Sequence, residues 1–337
     1  MVSTRSSTRK SRSNSTSTSP PTKKRAQQPK SPSTAKKRKL RAPPPPGSPS
    51  AQLHSEREED AGRRERAREG GVLEKGLVYF FFRSKVAVES AGGLEDVKRG
   101  YIVLKPLKLG EGVSVGGEGS KGEGKCRLLA VPKKRLPTRG FEKFLTFVEE
   151  PNITVRDLKD RFLKGSRYTT KTRGERVDSA AEPIGEGVYA LVKHPKERSS
   201  HLAYHLTIPE HASEIQSEFG IKDRGSFIVS VKNPSAPAPR SVAIADPAEF
   251  PKEVMDEFGG LRWLPLGREH LECKNAQMLF IGEREVLEGK EHEVAGEELK
   301  ELEEEDGKRV EHLKGDEAVF RDLELDRGEY VGVKSNW

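Results

Sequence analysis

The most constraining feature of the sequence is a basic N-terminal segment that lacks core-forming residues. Residues 1–50 contain 13 Lys and Arg side chains and no Asp or Glu. Two alanines, Ala26 and Ala35, are the only apolar residues between positions 3 and 39. Such a segment cannot bury enough apolar surface to offset the entropy of ordering it. We therefore predict a disordered basic tail and linker over residues 1–72.

The charge of the chain is segregated between its two ends. The net charge is +8 at pH 7, yet residues 283–337 hold 19 Asp and Glu against nine Lys and Arg. The main apolar positions of this acidic region are too unevenly spaced to predict a core-facing helical stripe. They are Leu299, Leu302, Val310 and Leu313. We predict an acidic C-terminal extension over residues 284–337, either a solvated helix or disordered.

Cysteine usage and hydropathy bear on the compartment. The two cysteines, Cys126 and Cys273, are too few for a disulfide framework, and we expect both to be reduced thiols. No apolar run approaches the roughly 20 residues of a membrane span. The N-terminus also lacks the apolar segment of a secretory signal. The sequence thus predicts an intracellular protein without a membrane partner.

Apolar periodicity predicts one globular domain over residues 73–283. Val78–Phe82 is aromatic on both faces, which predicts a central strand buried on each side. In residues 188–193 and 201–208, apolar side chains at every second position share one side of a strand, which predicts a β-hairpin. Further strands are predicted at residues 101–104, 127–131, 143–148, 227–231 and 277–281.

Two short core helices interrupt these strands. The first is predicted at residues 153–163, where Thr154 can cap with Asp157 three residues on. The second is predicted at residues 251–258, with Pro251 in its first turn and glycines after its end. The predicted fold class is therefore α+β: a mainly antiparallel sheet, closed into a barrel or split into a sandwich, with two short core helices.

Two basic clusters in the tail predict nuclear import. Lys23, Lys24 and Arg25 are followed, after ten residues, by a second cluster. That cluster comprises Lys36, Lys37, Arg38 and Lys39. The arrangement resembles a bipartite nuclear localisation signal, in which both clusters bind acidic grooves of an import receptor. We predict a nuclear location; the alternative is a basic tail that only aids solubility.

Three serines in the tail precede prolines and are candidate phosphorylation sites. Ser31 lies between the two basic clusters, and Ser19 and Ser48 lie outside them. A phosphate on Ser31 would add about −1.5 to −2 units of charge between the clusters. The Ser-Pro pairs predict proline-directed phosphorylation in this tail.

A glycine-rich segment at residues 119–126 nearly matches the phosphate-binding loop of nucleotide-binding proteins. Cys126 stands where a Ser or Thr would hold magnesium. The segment also leads into an apolar strand, whereas a phosphate loop leads into a helix. We therefore predict a flexible loop and no cofactor.

Three histidines around the 188–208 hairpin form the candidate pocket. His201 and His205 point to the same face of a strand, and His194 begins the segment that connects the two strands of the hairpin. No carboxylate or cysteine lies nearby at a spacing that would make it a third metal ligand, so no metal is predicted. The face is expected to be solvated or half-buried, and no catalytic residue is assigned.

Four motifs resemble those of a group of fungal and plant proteins whose fungal members often carry the name "BTB domain transcription factor". They are residues 79–86, 185–189, 201–206 and 225–234, within a resemblance that covers Tyr79 to Gly282. The resemblance implies a transcription-associated role and transfers no functional residue. The predicted strands differ from the mostly helical BTB module.

These features favour a non-enzymatic nuclear binding module, associated with chromatin or transcription. The basic tail is expected to contact DNA or RNA without sequence preference, and other nuclear proteins are further candidate partners. The alternative is an enzyme that acts on a small molecule in a pocket near the 188–208 hairpin. A deep cavity containing His201 and His205 would favour the enzyme.

Overall fold

The computed structural model describes residue 62 and residues 71–85, 93–109, 125–170, 174–193, 198–237, 244–282 and 293–310. Residues 1–61 of the basic tail and linker lie outside the described residues, and with them both import clusters and the three candidate phosphorylation sites. His194 and residues 119–124 of the glycine-rich segment also lie outside them.

Eight antiparallel strands close into a barrel. They are β1 (Val72–Ser84), β2 (Val97–Leu107), β3 (Lys125–Val131), β4 (Lys143–Thr154), β7 (Ala181–Lys193), β8 (Ser200–Ile208), β9 (Arg224–Lys232) and β11 (Gln277–Gly282). The order around the barrel is β1-β2-β3-β4-β11-β9-β8-β7, and β7 pairs with β1. Of the other strands, β5 (Ser166–Thr170) and β6 (Gly174–Asp178) form a separate hairpin, and β10 (Trp263–Pro265) extends β9. The predicted mainly antiparallel α+β fold is confirmed, with the barrel as its form.

Large apolar side chains fill the interior of the barrel. All eight strands contribute to one buried cluster. Within it the rings of Phe80, Tyr204, Phe227 and Phe280 form a chain, with successive centroids 5.1, 5.9 and 5.5 Å apart. An eight-stranded barrel is just wide enough for its own side chains to fill it, and this one is packed in that way.

A second buried cluster lies on the outer face of the barrel. Phe81 is 1% exposed on the opposite face of β1 from Phe80. Tyr79 and Leu77 share its cluster. The prediction that β1 is central and buried on both sides is therefore confirmed.

Within the described residues, three short helices connect the strands. The first, α1 (Val155–Leu158), continues as a π-helical turn at Lys159–Leu163, and Thr154 caps it by accepting a hydrogen bond from the backbone N–H of Asp157 (3.1 Å). Then come α2 (Glu214–Glu218), which the sequence pattern missed, and α3 (Lys252–Glu257), together with a 3₁₀ helix at Arg268–Glu272. After α3, Gly259 and Gly260 have φ angles of +51° and +86°, which end the helix at glycine.

A fourth helix, α4 (Glu293–Val310), covers part of the outer face of the barrel against β7 and β8. Ala295, Leu299 and Leu302 are at most 1% exposed. The acidic extension thus contains a helix, but the apolar side of this helix is buried and not solvated as predicted. Ala295 completes the stripe that the larger residues alone leave incomplete. None of the described helices is long and apolar enough to cross a bilayer.

Candidate functional site

The candidate histidine pocket on β8 is covered by helix α4. His201 and His205 share the outer face of the strand, as predicted, and are 4% and 5% exposed. His205 Nδ1 lies 2.8 Å from Glu303 Oε2 of α4, and Arg224 donates to the same carboxylate oxygen (3.0 Å). The prediction that this face is solvated or half-buried is wrong, because α4 packs apolar and acidic side chains against it.

The contact between His205 and Glu303 joins two structural elements. Burial lowers the pKa of His205, and the Glu303 carboxylate opposes this by a smaller amount. The neutral imidazole is therefore favoured at neutral pH, with Nδ1–H donating to Glu303. The part of the chain that the structure describes contains no group of three His, Cys, Asp or Glu side chains arranged to hold a metal ion.

A second polar cluster lies inside one end of the barrel. Glu74 and Arg127 form an ion pair, and the Tyr189 hydroxyl donates to Glu74 (2.7 Å). All three residues are at most 3% exposed. Arg268 and Glu272 of the 3₁₀ helix lie at the edge of this cluster, 3.6 Å from Glu74 and 3.8 Å from Arg127 respectively.

This cluster has the properties of a structural network. Burial, reinforced by the Glu74 charge, raises the pKa of Tyr189 well above its usual value, so the phenol remains a neutral donor. Both oxygens of Glu74 are paired within the protein. Buried paired charges are strongly destabilising when one partner is removed, so Glu74 and Arg127 hold β1 against β3.

Neither cysteine has the environment of a nucleophile. Burial raises the pKa of Cys126 to about 11, and burial together with Glu272 raises the pKa of Cys273. Because the thiolate is the reactive form, both remain protonated thiols at neutral pH. Both are free cysteines, as the sequence predicted.

A pocket at the opposite end of the barrel is too small for an organic ligand. Its lining includes Phe80, Gly100, Lys134 and Phe219, and its volume is about 10 Å³. A space of that size holds about one water molecule. This pocket is therefore too small to hold a small-molecule substrate.

A basic loop lies next to this pocket, and two of its residues, Lys134 and Leu136, line it. We define the basic loop as residues 132–143, which comprise the connection from β3 to β4 and the first residue of β4 and include five Lys or Arg residues and one Glu. Lys133, Arg139 and Lys143 are exposed. Phe141 lies among them with 72% of its side chain exposed.

Sequence reasoning missed the basic loop. The run Lys133-Lys134-Arg135 and the later Arg139 and Phe141 were available as a signal, since cations interleaved with an aromatic are typical of nucleic-acid contact. Nucleic-acid contact was predicted for the tail instead, because the tail is more basic. Only the barrel shows that these residues form one ordered connection between adjacent strands.

Comparison of the chain with protein-family models, with curated proteins and with solved structures finds no match in any of the three. The resemblance to fungal and plant proteins, and the transcription-associated role that it implies, stay predictions.

Proposed function

We propose that this chain is a non-enzymatic nuclear binding module, associated with chromatin or transcription, that contacts DNA or RNA through its basic tail. The observation that carries the proposal is the charge of residues 1–50, with 13 Lys and Arg and no acidic residue. Such a segment displaces counterions from phosphates and binds any sequence in a salt-dependent way.

The folded domain supports a binding role. His205, Glu74 and Arg127 each contact other protein groups and occupy covered or interior positions. The barrel interior is packed with side chains. These features leave surfaces and the tail as the means of interaction, with an import receptor and other nuclear proteins as further partners.

Two matched variants test the role of the tail in import. Replacing Lys36, Lys37, Arg38 and Lys39 with Ala removes four positive charges and one import cluster. Replacing Arg5, Arg9, Lys10 and Arg12 with Ala removes four positive charges and leaves both clusters intact. In a fluorescent fusion of the full chain, only the first variant should shift from nucleus to cytoplasm, and residues 1–50 alone should carry a reporter into the nucleus.

The same two variants test nucleic-acid binding. Both should weaken binding of the full chain to duplex DNA to a similar extent, because the contact depends on charge and not on the clusters. Each should lower the slope of log affinity against log salt by as much as about 4, at roughly 0.9 per phosphate contact. A full chain whose affinity is unchanged by either substitution would contradict the proposal, as would a reporter that stays cytoplasmic.

A further inference from the structure

The basic loop combines an exposed aromatic ring with cations. Phe141 and Leu261 are the exposed large apolar residues of the described chain, at 72% and 45%. A single exposed apolar side chain is common and needs no explanation. What distinguishes Phe141 is its setting, because Arg139 places its guanidinium 5.8 Å from the ring centroid.

Hydrogen bonds fix the backbone of the basic loop. The N–H of Leu136 donates to Phe219 O (2.8 Å), and the N–H of Glu142 donates to Arg139 O (2.8 Å). The N–H of Gly282, at the end of β11, donates to Glu142 O (3.3 Å). The turn that carries Phe141 is therefore held from both sides, so a ligand that stacks on the ring pays little to order it.

The single acidic residue of the basic loop is satisfied inside the loop. The Glu142 carboxylate accepts hydrogen bonds from the backbone N–H of Thr138 and from Arg135, both at 2.8 Å. The Thr138 N–H is the main cause of a lowered pKa for Glu142. Glu142 thus shapes the loop from within, while Lys133, Arg139 and Lys143 remain exposed beside the ring.

We propose that the basic loop binds single-stranded nucleic acid, with Phe141 stacking on a base and Lys133, Arg139 and Lys143 contacting phosphates. The proposal rests on the proposed function and adds a second contact site, on the barrel itself. Single-stranded binding sites combine cations that follow the backbone with aromatic side chains on which bases stack. A duplex keeps its base faces stacked, and an acidic peptide offers charge without a flat ring to cover Phe141.

The central test is Phe141→Ala in the full chain. Binding of a labelled single-stranded oligonucleotide should weaken about 5- to 100-fold, which corresponds to the loss of one stacked base. Binding of a duplex of the same sequence should stay unchanged. Phe141→Trp should keep the single-strand affinity, and Leu261→Ala should change neither, since it shortens the other exposed apolar side chain.

The cations are tested by their salt dependence. Replacing Lys133, Arg139 and Lys143 with Ala should lower the slope of log affinity against log salt for the single strand by about 2. That value follows from three phosphate contacts at roughly 0.7 each. Phe141→Ala should leave the slope unchanged, because a stacked ring releases no counterions.

Four results would overturn the proposal. The first two are an unchanged affinity of Phe141→Ala for the single strand, and a loss of affinity in Phe141→Ala that is the same for the single strand and the duplex. The third is a loss of single-strand affinity in Leu261→Ala equal to that in Phe141→Ala. The fourth is an equal loss of affinity for polyglutamate in Phe141→Ala, which would identify a surface that binds acidic proteins. The tail variants separate this proposal from the proposed function. If they bind like the wild type while Phe141→Ala weakens the single strand, the tail proposal fails and the loop site stands.

Discussion

At the residue scale, Phe81 and Phe141 show how one residue type takes two roles. Phe81 is 1% exposed in the outer-face cluster, and Phe141 is 72% exposed in the basic loop. Burial of a phenylalanine side chain contributes about 1.5–3 kcal/mol relative to exposure. The first residue therefore stabilises the barrel, while the second is available for contact with a partner.

Phe81→Ala should lower the free energy of unfolding by about 3–5 kcal/mol, because it removes buried contacts and leaves a cavity. Phe141→Ala is the matched control and should change stability by less than about 0.5 kcal/mol, since it alters an exposed side chain. Urea denaturation of both variants measures the difference. Similar losses of stability in the two variants would be inconsistent with the burial seen here.

At the element scale, helix α4 is held to the barrel by apolar packing and by one buried charge pair. Ala190 and Ala203 belong to the same cluster as Leu299, and small side chains of this kind let a helix approach a sheet closely. Lys75 Nζ lies 2.6 Å from Glu298 Oε2, with both side chains buried. His205 and Glu303 add a contact that depends on pH.

The stability of this helix should fall in acid through His205. Its folded-state pKa is lowered by burial, so the unfolded chain binds the proton more readily and stability rises with pH. As pH falls below the ordinary histidine value of about 6.5, stability should be lost until the lowered folded-state pKa is passed. Hydrogen exchange of residues 293–310 between pH 7.5 and pH 5 measures this effect.

His205→Gln should remove that part of the pH dependence. His211→Gln is the control, because the His211 side chain is 82% exposed. This substitution should leave the pH dependence of hydrogen exchange in α4 as it is in the wild type. If His205→Gln and the wild type share the same pH profile, another group controls the acid response of the helix.

At the scale of the whole molecule, the basic tail and the acidic C-terminal region flank one barrel. Residues 293–310 hold eight of the 19 acidic residues of this region, and α4 fixes them on the barrel surface. Glu298 and Glu303 are engaged by Lys75 and His205. Glu297, Glu301 and Glu304 are exposed and form one acidic face.

We expect the exposed acidic face of α4 to compete with nucleic acid for the basic tail. Tethering through the barrel gives an effective concentration in the millimolar range when geometry permits contact. Replacing Glu297, Glu301 and Glu304 with Gln in the full chain should tighten duplex DNA binding at low salt. The difference in affinity between this variant and the wild type should narrow as salt rises. Truncation at Gly282 is a poorer test, because it deletes a packed helix.

Equal affinities of the glutamine variant and the wild type at low salt would disprove the competition. The control is Glu95→Gln with Glu210→Gln and Glu214→Gln, which removes three negative charges from exposed positions outside α4. An equal gain in that control would indicate a general effect of net charge.

The sequence by itself determined the eight strands of the barrel and both predicted core helices. Local apolar periodicity, the Thr154 cap and the glycines after α3 act over a few residues, so they can be recognised from the sequence. Only the tertiary structure decided that the sheet closes as a barrel, that α4 covers the histidine face, and that Glu74 meets Arg127. Those outcomes join residues far apart in the chain, and no local pattern records which distant surface an apolar stripe or a charge will contact.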